Sequence, residues 1–155
     1  MILRDFLPTV PIFSTLEPEE VEALTKYVEQ KVYNDDEYVF RETEPGDAVY
    51  IVAAGAVRII KMIDGQHSKT LAAIVEREFF GEMALLDGMA RSASAQAARK
   101  STLLKVSNEK FRLMMEQHAY VALKIIMQIA CHLAARLRAT NQMVAELESW
   151  RILRG

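Results

Sequence analysis

The 155 residues hold one cysteine, Cys131. With no second thiol there is no disulfide framework, and the apolar neighbours of Cys131 predict a buried thiol on a helix face rather than a nucleophile. A reducing cytoplasm is the expected compartment. Charge of one sign is scarce as well: 19 Lys and Arg against 21 Asp and Glu leave a formal net charge of -2. A sequence-independent grip on nucleic acid needs clustered, uncompensated cations. Arg136, Arg138, Arg151 and Arg154 are instead interleaved with acids, as on a solvated helix face. No uninterrupted apolar run of about 18 residues occurs, and Met1 to Pro8 lacks the basic start and continuous apolar stretch of a signal peptide. Neither secretion nor membrane insertion is expected.

Only three histidines are present, His67, His118 and His132, and no close pair of them lies on a predicted strand. A barrel metalloenzyme needs two or three His and a carboxylate converging on one ion. A lone cysteine cannot hold an iron–sulfur cluster, and no nucleophile–base pairing is evident. No catalytic group and no cofactor for catalysis is expected, so the chain reads as a binding protein rather than an enzyme.

What is present fits one ordinary domain with a substantial core, since 51% of the residues are hydrophobic. Residues 1–30 form an N-terminal helical segment: Pro18-Glu19-Glu20 opens a helix, where a missing N–H is harmless and acids meet the helix dipole. From 31 to 107 the pattern changes to short β-branched and aromatic runs, Tyr38–Phe40, Val49–Val52, Val57–Ile60 and Leu71–Val75. Turn signals at Asn34-Asp35-Asp36, Pro45-Gly46-Asp47, Gly55 and Asp64-Gly65 divide them. Evenly spaced short strands predict an antiparallel barrel or jelly roll with flanking helices, a mainly β fold. Asp64-Gly65 predicts a two-residue type I′ hairpin turn.

Residues 108–155 read as helices. Glu109 to Met115 forms a short one, and Tyr120 to about Leu147 carries no Pro or Gly, which predicts a helix of some 28 residues, about 40 Å long. Along it Ala130, Leu133, Leu137, Thr140, Val144 and Leu147 alternate spacings of three and four, the a/d pattern of a coiled coil. A homodimer through this helix is expected; the bland alternative is that the stripe packs on its own barrel.

Residues 79–95 carry the chemistry. Gly81 follows two aromatics and precedes the helix-capable run Glu82-Met83-Ala84-Leu85-Leu86, so a sharp turn there presents free N–H groups to an anion. Arg91 lies nine positions after Glu82, past Asp87-Gly88, and its planar guanidinium can hold two phosphate oxygens. Glu82 would repel a phosphate and must face something else, such as a ribose hydroxyl. Ser92, Ala93, Ser94 and Ala95 are small enough for close backbone approach. The alternative is a purely structural ion pair between Glu82 and Arg91.

Phe-Gly-Glu-x-Ala-Leu, a Gly loop and then Arg-Ser-Ala-Ser closely resembles the phosphate-binding cassette of the cyclic nucleotide-binding domain family. The resemblance extends over nearly the whole chain, from the N-terminal helix through Pro45-Gly46-Asp47 and Gly55-Ala56-Val57 to the terminal helices. The cassette is similar to that of the cAMP-dependent protein kinase regulatory subunit, and the terminal helix to that of the bacterial catabolite activator protein. The resemblance implies a double-stranded β-helix fold and a ligand, cAMP or cGMP, held by Gly81, Glu82, Met83, Ala84, Arg91, Ser92 and Ala93. Glu82 would take the ribose 2′-hydroxyl and Arg91 the cyclic phosphate. By the same resemblance Thr140 and Asn141 occupy base-contacting positions, in activator-type dimers partly from the neighbouring subunit. Ala90 stands where many family members have Pro, Ala95 replaces a larger apolar residue, and Arg77-Glu78 replaces a Gly-containing turn. The expected role is a regulatory sensor acting on a further protein partner. Activators of this type carry a helix-turn-helix after the long helix, and none is expected within residues 1–155. A ligand-unresponsive dimerisation scaffold is the competing expectation, and the sensor piece of a larger transcription regulator is another.

Overall fold

The structure is a computed structural model describing residues 2–154, without the side chain of Arg154. The chain opens with α1 (Leu3–Phe6), two single 3₁₀ turns (Leu7–Thr9 and Pro11–Phe13) and α2 (Pro18–Thr25). At the start of α2 the Glu17 N–H donates to the Glu20 carboxylate at 2.8 Å, which satisfies one of the orphan donors of a helix N-terminus. Eight strands follow: β1 (Glu29–Tyr33), β2 (Tyr38–Phe40), β3 (Ala48–Ala54), β4 (Ala56–Met62), β5 (Ser68–Val75), β6 (Phe79–Phe80), β7 (Ser94–Ala97) and β8 (Ser101–Ser107). The six-residue α3 (Glu82–Asp87) interrupts them, and α4 (Asn108–Gln117) and α5 (Ala119–Arg154) close the chain.

The strands form two antiparallel four-stranded sheets, in the orders β1-β8-β3-β6 and β2-β7-β4-β5. Two such sheets face to face make the expected jelly roll. One cluster fills the space between them, with Tyr33, Tyr50, Val52, Val57, Phe80 and Leu103 at its centre. The opposite side of β3 and β8 carries Val49, Ile51, Leu104 and Val106, and α2, α4 and α5 cover it with Leu24, Phe111, Ile125 and Ile129. β3 is therefore buried on both faces, which is why Val49-Tyr50-Ile51-Val52 reads as a continuous apolar run rather than an alternating one.

Several expectations need correction. β4 and β5 are joined not by a two-residue turn at Asp64-Gly65 but by the five residues between Met62 and Ser68. The Asp64 carboxylate accepts from the N–H groups of Gln66 and His67 at 3.1 and 2.8 Å, so an aspartate-stabilised loop replaces the tighter hairpin turn. Cys131 is exposed rather than buried, because the core face of α5 is formed by Val121, Ala122, Ile125 and Ile129.

α5 is 36 residues long, from Ala119 to Arg154, or about 54 Å at 1.5 Å per residue. By length and composition it is the one helix among the described residues that could cross a membrane. Of the a/d residues only Leu133 packs against its own chain's core. Ala130, Leu137, Thr140, Val144 and Leu147 are exposed.

The Arg77-Glu78 substitution does not abolish the turn before β6. Arg77 itself adopts a positive φ of 72°, the left-handed conformation that glycine takes cheaply. Its N–H donates to the Val52 carbonyl at 2.9 Å and the Glu78 N–H to Val75 at 3.0 Å, and these bonds hold the strained residue in place.

Gly46 is where α3 meets the barrel. A Cβ added there would stand 2.0 Å from the Ala84 Cβ and 2.7 Å from the Met89 carbonyl oxygen. Gly46→Ala should therefore displace α3 and destabilise the fold by about 1–3 kcal/mol, the usual range for overpacking. Urea unfolding of the two proteins checks this.

Candidate functional site

The site is built where β6 ends. Gly81 takes φ +80° as the N-cap of α3, and the chain turns there from strand to helix. A side chain at 81 would put its Cβ 2.8 Å from Nη1 of Arg91 and 3.1 Å from the Ala48 carbonyl oxygen. The turn thus needs glycine for both its dihedral and its space.

Arg91 fills that space and is only 5% exposed. Its Nη1 donates to the Gly81 carbonyl at 3.1 Å, and its Nη2 donates to the Ala48 carbonyl at 2.8 Å and to Asp47 at 3.1 Å. Its guanidinium carbon lies 4.0 Å from the centre of the Phe40 ring, a favourable place for a desolvated cation. The Nε of Arg91 is buried with no partner, and an unmet donor of this kind is costly unless something accepts from it.

Asp47 ties this cation to a second one, because Lys105 donates to its other oxygen at 2.9 Å. Burial works to raise the Asp47 carboxyl pKa, but the Lys105 hydrogen bond and the charges of Lys105 and Arg91 outweigh it. The group is held below the ordinary carboxylate value.

Glu82, the first residue of α3, is 2% exposed. Its partner is Arg136 of α5, whose Nη1 donates to Oε1 at 3.0 Å. The expected alternative, an ion pair between Glu82 and Arg91, is therefore not what these residues make: each is bonded elsewhere. Arg136 in turn does not lie on a purely solvated helix face, a correction to the sequence reading. Arg151, by contrast, pairs on the surface with Glu148 at 2.8 Å.

A cavity of about 630 Å³ opens beside these groups. Ile59, Leu71, Ile74 and Phe79 give it an apolar wall, while Glu82, Arg91, Ser92, Lys61 and Arg136 supply polar atoms. Gly81, Met83, Ala84 and Ala93 line it too, so seven of the expected residues come together here. Among the described residues no acceptor meets the N–H of Ser92 or Ala93. A ligand with an anionic group and a hydroxyl-bearing, partly apolar body fits this set. Thr140 and Asn141 do not line the cavity. They are exposed on α5, and the Thr140 hydroxyl donates to the carbonyl of Arg136 at 2.9 Å.

Phe40, Asp47, Lys61 and Lys105 escaped the sequence reading as site residues. Asp47 carried a signal, since it ends the Pro45-Gly46-Asp47 turn, and Arg136 did too, lying one helical turn before Thr140. Phe40 and Lys61 carried none, because strand pairing alone brings β2 and β4 beside the cassette. Among the described residues no group of three or more His, Cys, Asp or Glu could hold a metal ion.

Comparison with known proteins gives a consistent result. The family model described as "Cyclic nucleotide-binding domain" matches residues 30–118. The "Cyclic AMP receptor protein" of Thermus thermophilus is 37% identical over 131 residues, 84% of this chain and 59% of that protein. The solved structure of the Thermus thermophilus catabolite activator protein superposes with a TM-score of 0.79 at 33% identity, over 89% of this chain and 63% of that one. A cyclic nucleotide-binding domain from Methylobacillus flagellatus superposes with a TM-score of 0.82 at 26% identity, over 92% of this chain and 82% of that one. The chain thus spans about three fifths of the length of the Thermus proteins, 59% and 63%.

The depressed pKa of Asp47 has a definite pH consequence. Its ionised form stabilises the fold above the ordinary carboxylate pKa of about 3.9, and that contribution fades as the pH falls below it. Asp47→Asn should cost about 1 kcal/mol at pH 7, a modest figure because the carboxylate is more than half exposed. Urea unfolding at pH 7 and pH 3 should show the difference between the two proteins shrinking at the lower pH.

Proposed function

This chain belongs to the cyclic nucleotide-binding domain family, and from that premise we propose that it is a cytoplasmic, homodimeric sensor that binds cAMP in the cavity beside α3. The observation that carries the reading is Arg91: a buried guanidinium on the cavity wall with one N–H unpartnered. A cyclic phosphate supplies the acceptor, and the free N–H groups of Ser92 and Ala93 add to it. Glu82 takes the ribose 2′-hydroxyl, and the apolar wall receives the base. Thr140 and Asn141 are assigned to the base bound by a second copy, reached across the α5 seam. The name of the 37% identical relative, a cyclic AMP receptor, supports cAMP over cGMP.

Ligand reaches α5 through Glu82. Its carboxylate is bonded to Arg136, so a ribose hydroxyl at Glu82 competes for the group that holds Arg136. α3 also touches the helices from below, where Leu85 packs against the cluster of Phe111, Met114, Ile125 and Ile129. The output is a population shift, and its size is the difference in ligand affinity between the two α5 positions. The repositioned helix re-presents its surface to a downstream protein partner.

One feature favours the scaffold reading: Arg91 and Glu82 already have partners of their own in the chain. Thermal melting separates the two. At 100 times its dissociation constant a ligand stabilises by about 2.7 kcal/mol, so a clear rise in Tm with cAMP or cGMP supports the sensor, and no rise with either supports the scaffold.

Arg91 also holds the Gly81 and Ala48 carbonyls, so Arg91→Lys, which keeps the charge but loses the fork, is the cleaner substitution. It should weaken cAMP binding by about one to two decades in calorimetry, the equivalent of roughly one charge-assisted hydrogen bond. An unchanged affinity removes Arg91 from the phosphate.

The exposed Leu137 and Val144 should form the dimer seam. Leu137→Glu combined with Val144→Glu should halve the mass seen by analytical ultracentrifugation, because it sets like charges against each other at an apolar seam. A wild-type protein that sediments as a monomer removes the dimer.

A further inference from the structure

Resting on the reading of the cavity as a cyclic phosphate site, we propose that Lys61 is a positioning residue for the anion-binding loop, held in place by Glu42. The loop from Gly88 to Ala93 joins α3 to β7 without regular structure, so side chains and a neighbouring loop must fix it. Arg91 is gripped by its main chain: its N–H donates to the Glu44 carbonyl at 2.8 Å, and its carbonyl accepts from the Thr43 N–H at 2.9 Å. The next peptide unit has a different anchor. The Ser92 carbonyl accepts from Nζ of Lys61 at 2.7 Å.

In a trans peptide the carbonyl of Ser92 and the N–H of Ala93 lie in one plane and point in opposite directions. Fixing the first fixes the second, and the second is one of the two donors left open beside the cavity. Without Lys61 the carbonyl is free to turn its negative end toward a bound anion.

Lys61 could instead be a second phosphate cation, but its charge is matched one to one by Glu42, whereas at Arg91 a single carboxylate, Asp47, is shared by two cations and leaves net positive charge. Its ammonium is paired with the Glu42 carboxylate, which also accepts from the Met62 N–H at 3.1 Å. The Lys61 hydrogen bond, followed by that of Met62, holds the Glu42 carboxyl below its ordinary pKa, so the pair is an internally neutralised clamp. Glu42 is itself fixed, its N–H donating to the Ser94 hydroxyl at 2.8 Å. The clamp therefore joins the loop after β2, strand β4 and the start of β7 around the anion-binding peptide.

The test is calorimetric titration of cAMP into the full chain and its Lys61→Met, Lys61→Arg, Glu42→Gln and double Lys61→Met/Glu42→Gln variants. It is read together with the amide ¹⁵N–¹H shift of Ala93 in the ligand-free proteins. Lys61→Met should weaken binding about tenfold, the lower end for one charge-assisted hydrogen bond. Lys61→Arg should recover most of that loss, and the double variant should be no weaker than Lys61→Met alone, because the two residues act as one unit. The Ala93 amide should shift in Lys61→Met and return in Lys61→Arg, which a general loss of stability would not produce. Equal affinity of wild type and Lys61→Met, or an unmoved Ala93 amide, overturns the positioning role. A wild type that binds no cyclic nucleotide overturns the ligand reading first, and the affinity claim with it.

Discussion

Burying a guanidinium until it is 5% exposed is strongly destabilising unless the surroundings replace most of its water. Around Arg91 they do so with two backbone carbonyls, one shared carboxylate and an aromatic face, from Gly81, Ala48, Asp47 and Phe40. They come from three separate parts of the chain, Asp47 and Ala48 being neighbours, so the requirement to solvate one cation sets the mutual positions of β2, the start of β3, the end of β6 and the cassette loop. Gly81 is glycine because the Arg91 side chain lies where a Cβ would be. The same arrangement leaves one donor, Nε, unmet.

The second constraint is the two-sided burial of β3. Tyr50 and Val52 face the space between the sheets while Val49 and Ile51 face the helices, so one strand is shared by both cores. Leu85 of α3 reaches the helical core, and Ala84 lies against the turn that leads into β3. The cassette helix is therefore packed into the same core as α4 and α5, among side chains that have little room to shift independently.

The sequence displayed the cassette plainly, because Gly81, Glu82, Arg91 and the small residues after it are adjacent in the chain and their chemistry is legible without coordinates. The strands with strong β-branched runs were also readable, as were the Pro18 helix start and the long Gly- and Pro-free terminal helix. Short strands such as Phe79–Phe80 and Ser94–Ala97 were not, because their pairing with Tyr50–Ile51 and with β2 and β4 is a tertiary fact. The same limit hid Phe40, Lys61 and Lys105, each brought to the site from a distant part of the chain by strand register. Cys131 misled for a related reason: apolar neighbours in sequence surround it on the helix, but the helix is buried on another side. Arg136 reads in sequence as one of several solvated cations, and only its bond to Glu82 of α3 singles it out.

α5 is a single rod whose near end is anchored. Val121, Ala122, Ile125 and Ile129 are buried in the core, and Lys124 donates to Glu20 of α2 at 2.7 Å. The chain bends at His118, between α4 and α5; beyond Leu133 the helix meets the rest of its chain through Arg136, bonded to Glu82, and from Leu137 to Leu153 its residues are exposed. For a lever about 54 Å long, a tilt of only about 10° at that bend carries the far tip through about 9 Å. The geometry gives mechanical gain, though a small one: Arg136 meets Glu82 about 27 Å from the bend and Trp150 lies about 48 Å from it, so a sideways movement at Arg136 is magnified a little less than twofold at Trp150.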